Sequence, residues 1–266
     1  MPIFAFVMCT VTYFPRPTGF VLTHNRDEAP SRSTQSIVKE KTPQGNTLLF
    51  PRDALAGGTW IASSKDGKTA CLLNGAFVLH RRELPYRRSR GLLLLDFFDW
   101  DDPDAFFQHD DLDRIEPFTF LYFEKPSNEM EVRRVTELRW DGQQRFIKEL
   151  SPQVPHFWCS ATLYPPEMQI RREQVFIDWL THQSPDHQLH QSPTRQSLIT
   201  LHQTGSINDP ENDYVMNRGG RVQTVSITQV FADKKNAHMK YLDLLGGKSS
   251  ERRFMIHKRA AKAANR

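Results

Sequence analysis

The sequence predicts an α+β protein whose strands pair antiparallel and whose helices stand apart from them. Three observations carry this prediction. Strand-like alternation comes in neighbouring pairs joined by short turns, helical periodicity is confined to separate blocks, and no Gly-rich phosphate loop follows a strand. The 266 residues suffice for one large domain or two small ones. No internal repeat or boundary divides them before a basic C-terminal segment.

The elements follow in order. CTVTYF (9–14) alternates and is rich in Thr, Val and aromatics, so it reads as a strand. PRPTG turns the chain, and GFVLTHN (19–25) returns it, giving a hairpin over 9–25. A polar, Pro-broken loop is expected to about residue 55. TWIASS (59–64) and TACLLN (69–74) form a second hairpin around Asp66-Gly67. After the basic loop HRRELPYRRSR, Ser89 caps a helix over 90–98, and a short helix starts at Pro103 behind Asp102. FTFLYFE (118–124) and EMEVRRV (129–135) are strands around KPSN, with a continuation through ELRW to Gly142. HFWCSA (156–161) is a further strand, PEMQIRREQVFIDWL (166–180) is helical, and 182–196 is a loop. SLITLHQ (197–203) is helical, and RVQTVSITQVF (221–231) and AHMKYLDL (237–244) are late strands.

Composition narrows the function. With 38% hydrophobic and 25% charged residues, the chain should be soluble with a real core. Ile3 to Cys9 is too short to span a bilayer, so no stable membrane insertion is expected. No basic n-region or cleavage site marks a signal peptide. Cys9, Cys71 and Cys159 show no paired spacing, which fits a reducing compartment and a cytoplasmic location. The formal net charge of +4 is concentrated in residues 247–266, with seven Lys/Arg against one Glu. That segment reads as a solvated, frayed tail, and no nucleic-acid motif supports a nucleic-acid partner. The expected organisation is an N-terminal extension (1–8) absent from the mature chain, a single domain (9–246) and the tail (247–266).

The chemistry gathers near Cys9. If Met8 is the initiator and is trimmed, Cys9 carries a thiol and a free α-amine. That amine has a reference pKa of about 8 and can accept the thiol proton. HNRDEAPSR (24–32) ends the returning strand of the same hairpin, which brings Arg26 and Asp27 back towards Cys9. An arginine nearby lowers a thiol pKa, and an aspartate can hold an ammonium. A buried strand cysteine and a solvated charged turn are the plain alternatives. Elsewhere, His187-x-x-His190 sits in a polar loop, and Asp99, Asp101, Asp102 and Asp104 lack the glycine and distal glutamate of a calcium loop. Helix entry at Pro103 explains the aspartates better, so no metal site is assigned.

Met8-Cys9, Asn25-Arg26-Asp27-Glu28, Gly57-Gly58-Thr59-Trp60 and Leu73-Asn74, together with Arg32, Ser89-Arg90-Gly91 and Arg221-x-x-Thr224, resemble the NRDE family, which includes transport and Golgi organisation protein 2. The resemblance implies an N-terminal nucleophile hydrolase-like fold, a four-layer αββα sandwich of two antiparallel sheets. It implies Cys9 as nucleophile, Asp27 holding the α-amine with Arg26 nearby, Asn74 donating to the oxyanion, and Arg221 as the late arginine. Asn25, Trp60 and Ser160 would contribute to binding. Two functions stay open. One is hydrolysis of a linear amide or acyl bond without a cofactor. The other is a non-catalytic protein of the same fold that binds haem or an acyl lipid. Met8-Cys9, Asp27 and Asn74 favour the enzyme. Arg26 falls at the middle of Asn-x-Asp rather than ahead of it, and Ser160 stands where an asparagine is expected; both favour the binder. The oligomeric state is not legible.

Overall fold

The computed structural model describes residues 8–124, 134–162, 164–182 and 193–256. The first hairpin is β1 (Met8–Arg16) and β2 (Gly19–Glu28), longer at both ends than the alternation suggests. β3 (Thr34–Lys41) and β4 (Thr47–Asp53) follow, then β5 (Ile61–Ser64) and β6 (Lys68–Asn74). The expected loop up to residue 55 is therefore corrected to a hairpin. β3 hides in the sequence because only Ile37 on it is buried, and its charged residues guard a sheet edge.

Helix α1 (Arg90–Phe97) begins where expected, with the Ser89 side chain accepting from the Leu92 amide. Helix α2 (Pro103–His109) is capped by Asp102 and carries proline in its first turn. Strands β7 (Phe118–Glu124), β8 (Arg134–Trp140), β9 (Arg145–Leu150) and β10 (His156–Cys159) come next. Most of EMEVRRV lies outside the described residues, as do His187 and His190. Helices α3 (Pro166–His182) and α4 (Arg195–Thr204) precede β11 (Asn217–Arg218), β12 (Val222–Asp233), β13 (Asn236–Asp243) and β14 (Lys248–Met255). The expected tail boundary at 247 is corrected: residues 248–255 pair along β13 in full register. The rest of the basic segment, from 257, lies outside the described residues.

The strands form two antiparallel sheets. One runs β10-β1-β2-β12-β13-β14, with β11 on β12; the other runs β3-β4-β5-β6-β7-β8-β9. Val11, Tyr13, Phe20 and Leu22 of the first sheet meet Ile61, Leu73, Leu121 and Phe123 of the second. On the outer face of the second sheet, Leu94, Phe97, Phe106 and Phe107 of α1 and α2 cover Leu72, Phe120 and Tyr122. On the outer face of the first, α3 and α4 pack through Phe176 and Leu201 against Tyr214 and Phe157. The result is the four-layer αββα sandwich. Both faces of each sheet carry buried side chains, so each face needs a cover. Among the described residues no helix is long and apolar enough to cross a membrane.

Candidate active site around Cys9

β1 and β2 pair so that Cys9 stands opposite Arg26 and Met8 opposite Asp27. The Cys9 amide donates to Ser160 Oγ at 3.1 Å, and its carbonyl accepts from the Ser160 amide at 3.0 Å. The main-chain groups of Cys9 therefore point towards β10. Paired strand residues share a face, so the Cys9 and Arg26 side chains both point between the sheets. Asn25 and Asp27 take the opposite face, under α3 and α4.

Cys9 lines a cavity of about 690 Å³ whose walls include Arg26, Trp60, Leu72, Asn74 and Arg90. The Arg26 guanidinium lies 4.4 Å from the Trp60 ring centroid, a cation–π contact. It reaches Asp53 at 2.5 Å and Glu28 at 3.5 Å, while Arg32 reaches Glu28 at 3.0 Å and Asp53 at 2.7 Å. Two cations and two carboxylates close this buried network. Asp53 also accepts from the amides of Leu55 and Ala56, which fixes the turn ahead of Gly57-Gly58. Asn74 ends β6 at the cavity wall, where Gly75 turns the chain with φ +80°.

Two sequence blocks meet here through glycine. A Cβ on Gly58 would come within 2.5 Å of the Gly91 carbonyl carbon, and one on Gly91 within 2.8 Å of the Thr59 carbonyl oxygen. The Thr59 amide donates to the Gly91 carbonyl at 3.2 Å. Only backbones this close hold the start of α1, and with it Arg90, against the cavity.

On the other face Asp27 is fully buried. Its Oδ1 accepts from Thr224 Oγ1 at 2.5 Å, and its Oδ2 has no hydrogen-bond partner among the described residues. Burial raises its carboxyl from 3.8 to about 7, against the opposing pull of the Thr224 bond and of Arg172 and Arg218. Arg172 of α3 is fully buried, donates to Thr10 Oγ1 and to the Asp213 carbonyl, and lies 4.1 Å from the Tyr164 ring centroid. The Cys9 thiol is pushed well above its ordinary range by burial, with Asp27 adding and Arg26 opposing.

Two sequence-predicted residues lie elsewhere. Asn25 does not line the cavity. Its amide nitrogen donates to the carbonyls of His202 and Tyr214, and its oxygen accepts from His202 Nδ1 at 2.7 Å. That leaves His202 Nε2 to accept from Thr12, so Asn25 is a strut between β2 and α4. Arg221 is exposed in the turn before β12 and is not among the residues that line the cavity. Ser160 holds the Cys9 nitrogen and is itself fully buried. Sequence reasoning missed Asp53, Glu116 and Arg172, which act across long sequence separations. Arg32 and Arg90 stood within quoted motifs without an assigned role. Among the described residues no group of three or more His, Cys, Asp or Glu could hold a metal ion.

Comparison with known proteins agrees with this geometry. Residues 8–241 match the family described as Transport and Golgi organisation 2. Among solved structures, the N-acylethanolamine-hydrolyzing acid amidase ortholog of Caenorhabditis elegans is similar with a TM-score of 0.51 and 11% identity. That match covers 83% of this chain and 91% of that one. Penicillin V acylase from Agrobacterium tumefaciens is similar with a TM-score of 0.52 and 9% identity, over 91% of this chain and 85% of that one. At such identities the likeness concerns the fold. No curated protein matches the sequence.

Proposed function

The chain belongs to the Transport and Golgi organisation 2 family, and from that premise we propose an N-terminal cysteine nucleophile hydrolase acting on a linear amide or related acyl bond. One observation carries the reading. The Cys9 side chain lines a large cavity, its nitrogen is held by Ser160, and a buried carboxylate oxygen with no partner lies one register position away. A buried, unpaired carboxylate is costly, and an ammonium at Cys9 would satisfy it.

Once residues 1–8 are removed, the α-amine takes the thiol proton and the thiolate adds to the acyl carbon. The Asn74 side chain donates to the oxyanion, a contact worth about 3–4 kcal/mol of barrier where such donors have been removed. The ammonium returns the proton to the leaving amine, whose bond to the acyl carbon breaks. Water then cleaves the thioester and restores the thiol. Arg26, across from Cys9, favours the thiolate.

A second reading is a non-catalytic binder on the same fold, and a different observation favours it. While residue 8 stays attached, burial keeps the Cys9 thiol protonated. Leu72, Leu84 and Trp60 give an acyl chain apolar walls. Haem fits less well, because the described lining residues include no histidine or methionine to bind iron axially, leaving Cys9 and Tyr86. A cytoplasmic location belongs to the same proposal and rests on the unpaired cysteines.

The deciding experiment is intact mass and N-terminal sequencing of protein purified without an N-terminal tag, with turnover measured on N-acyl amides. A chain that starts at Cys9, and loses turnover but not fold on Cys9→Ser, supports the hydrolase. A chain that keeps MPIFAFV and binds acyl ligands equally well after Cys9→Ser supports the binder.

A further inference from the structure

The charges lining the cavity fall into two groups. Arg26 and Arg32 are matched one for one by Glu28 and Asp53. The second group is not matched. Glu116 alone receives Arg90 at 3.0 Å and Arg82 at 3.1 Å, with His80 Nε2 at 3.4 Å. Further along the rim, Arg87 pairs with Asp111 and Arg88 with Asp96. Among the described residues the guanidiniums lining the cavity outnumber the carboxylates paired with them by one, and the excess sits at Arg82 and Arg90.

Arg90 is held in place from several sides. Its Nη1 donates to the Pro117 carbonyl at 2.8 Å, its side chain is 13% exposed, and the Gly58–Gly91 backbone contact fixes the helix start beneath it. Burial pushes its guanidinium down from its ordinary value, and it lines the same cavity as Cys9. A cation in excess within a half-enclosed site is best satisfied by an anion from the ligand.

We propose that Arg90, together with Arg82, determines specificity by binding a carboxylate on the substrate, so that the substrate is a linear acyl amide carrying one negative charge. This rests on reading the cavity as the substrate site, but not on catalysis having occurred.

The test measures binding without turnover. The full chain carrying Cys9→Ala is titrated calorimetrically with N-octanoylglycine and with its neutral analogue N-octanoylglycinamide. The acid should bind about tenfold tighter or more, as a charge-assisted contact gives. Arg90→Gln should bring the two affinities together by weakening that of the acid more than that of the amide, while Arg90→Lys restores part of the preference. Arg82→Gln, at a more exposed position, should reduce the preference and serves if Arg90→Gln fails to fold. Equal binding of the two ligands by the parent, binding of neither, or a preference that survives both Gln variants would overturn the proposal. Failure of the hydrolase reading looks different: the anion preference remains, and protein with Cys9 intact never releases octanoate.

Discussion

Asp27→Asn gives opposite results in the two forms of the chain, which makes it a sharp probe of the site. In a chain that keeps residues 1–8, Asp27 is a buried carboxyl raised from 3.8 to about 7 with one unpartnered oxygen. A group raised on folding stabilises the fold while protonated, below the unfolded value near 3.8. That contribution is lost as pH rises through about 7. Each pH step is worth 1.36 kcal/mol, so the folded state carries a burden of roughly 4 kcal/mol at pH 8. Asparagine keeps an acceptor for Thr224 and cannot ionise, but its new amide donor is buried without a partner at a cost of about 1–3 kcal/mol. The net expectation is a gain of about 2 kcal/mol at pH 8. At pH 4 the gain should vanish or reverse. In a chain that begins at Cys9, the same substitution removes the partner of a buried ammonium and should cost about 3–5 kcal/mol at neutral pH. Urea denaturation of both chain forms, with and without Asp27→Asn, at pH 4 and pH 8 reads all of these values. A gain independent of pH in the long form, or the same sign in both forms at pH 8, would refute the argument that Asp27 awaits an ammonium.

Other perturbations test neighbouring parts of the site. Gly91→Ala forces a Cβ to within 2.8 Å of the Thr59 carbonyl oxygen and should cost about 1–3 kcal/mol in thermal or urea unfolding. Asp53→Asn leaves Arg26 and Arg32 sharing one buried carboxylate, Glu28, and should cost about 3–5 kcal/mol, measured in the same way. Ser160→Ala removes the acceptor of the Cys9 amide and should destabilise by about 1–3 kcal/mol. In a chain starting at Cys9, Ser160→Ala should also shift the acid limb of the pH–rate profile, since the orientation of the amine changes.

Much of this protein was legible in its sequence. The hairpin order, the Ser89 and Asp102 caps and the placement of Cys9 opposite Arg26 all rest on local rules: period-two alternation, turn chemistry and capping. Those rules failed mainly at the sheet edges. β3, β9 and β14 are outermost strands whose charged residues protect unpaired backbone, so their alternation is masked. The resemblance brought Asn25 into the site beside Arg26, yet neighbouring strand residues point to opposite faces, and Asn25 bonds to α4. Arg221 stands in a turn that leaves it in solvent. Local rules therefore determined which residues belong to one strand and which pair across a hairpin. The tertiary structure alone decided that Asp53 and Glu116 join Glu28 as carboxylates of the cavity and that Gly58 meets Gly91. These are contacts between elements distant in the chain, made only when the two sheets stack and the helices settle on them.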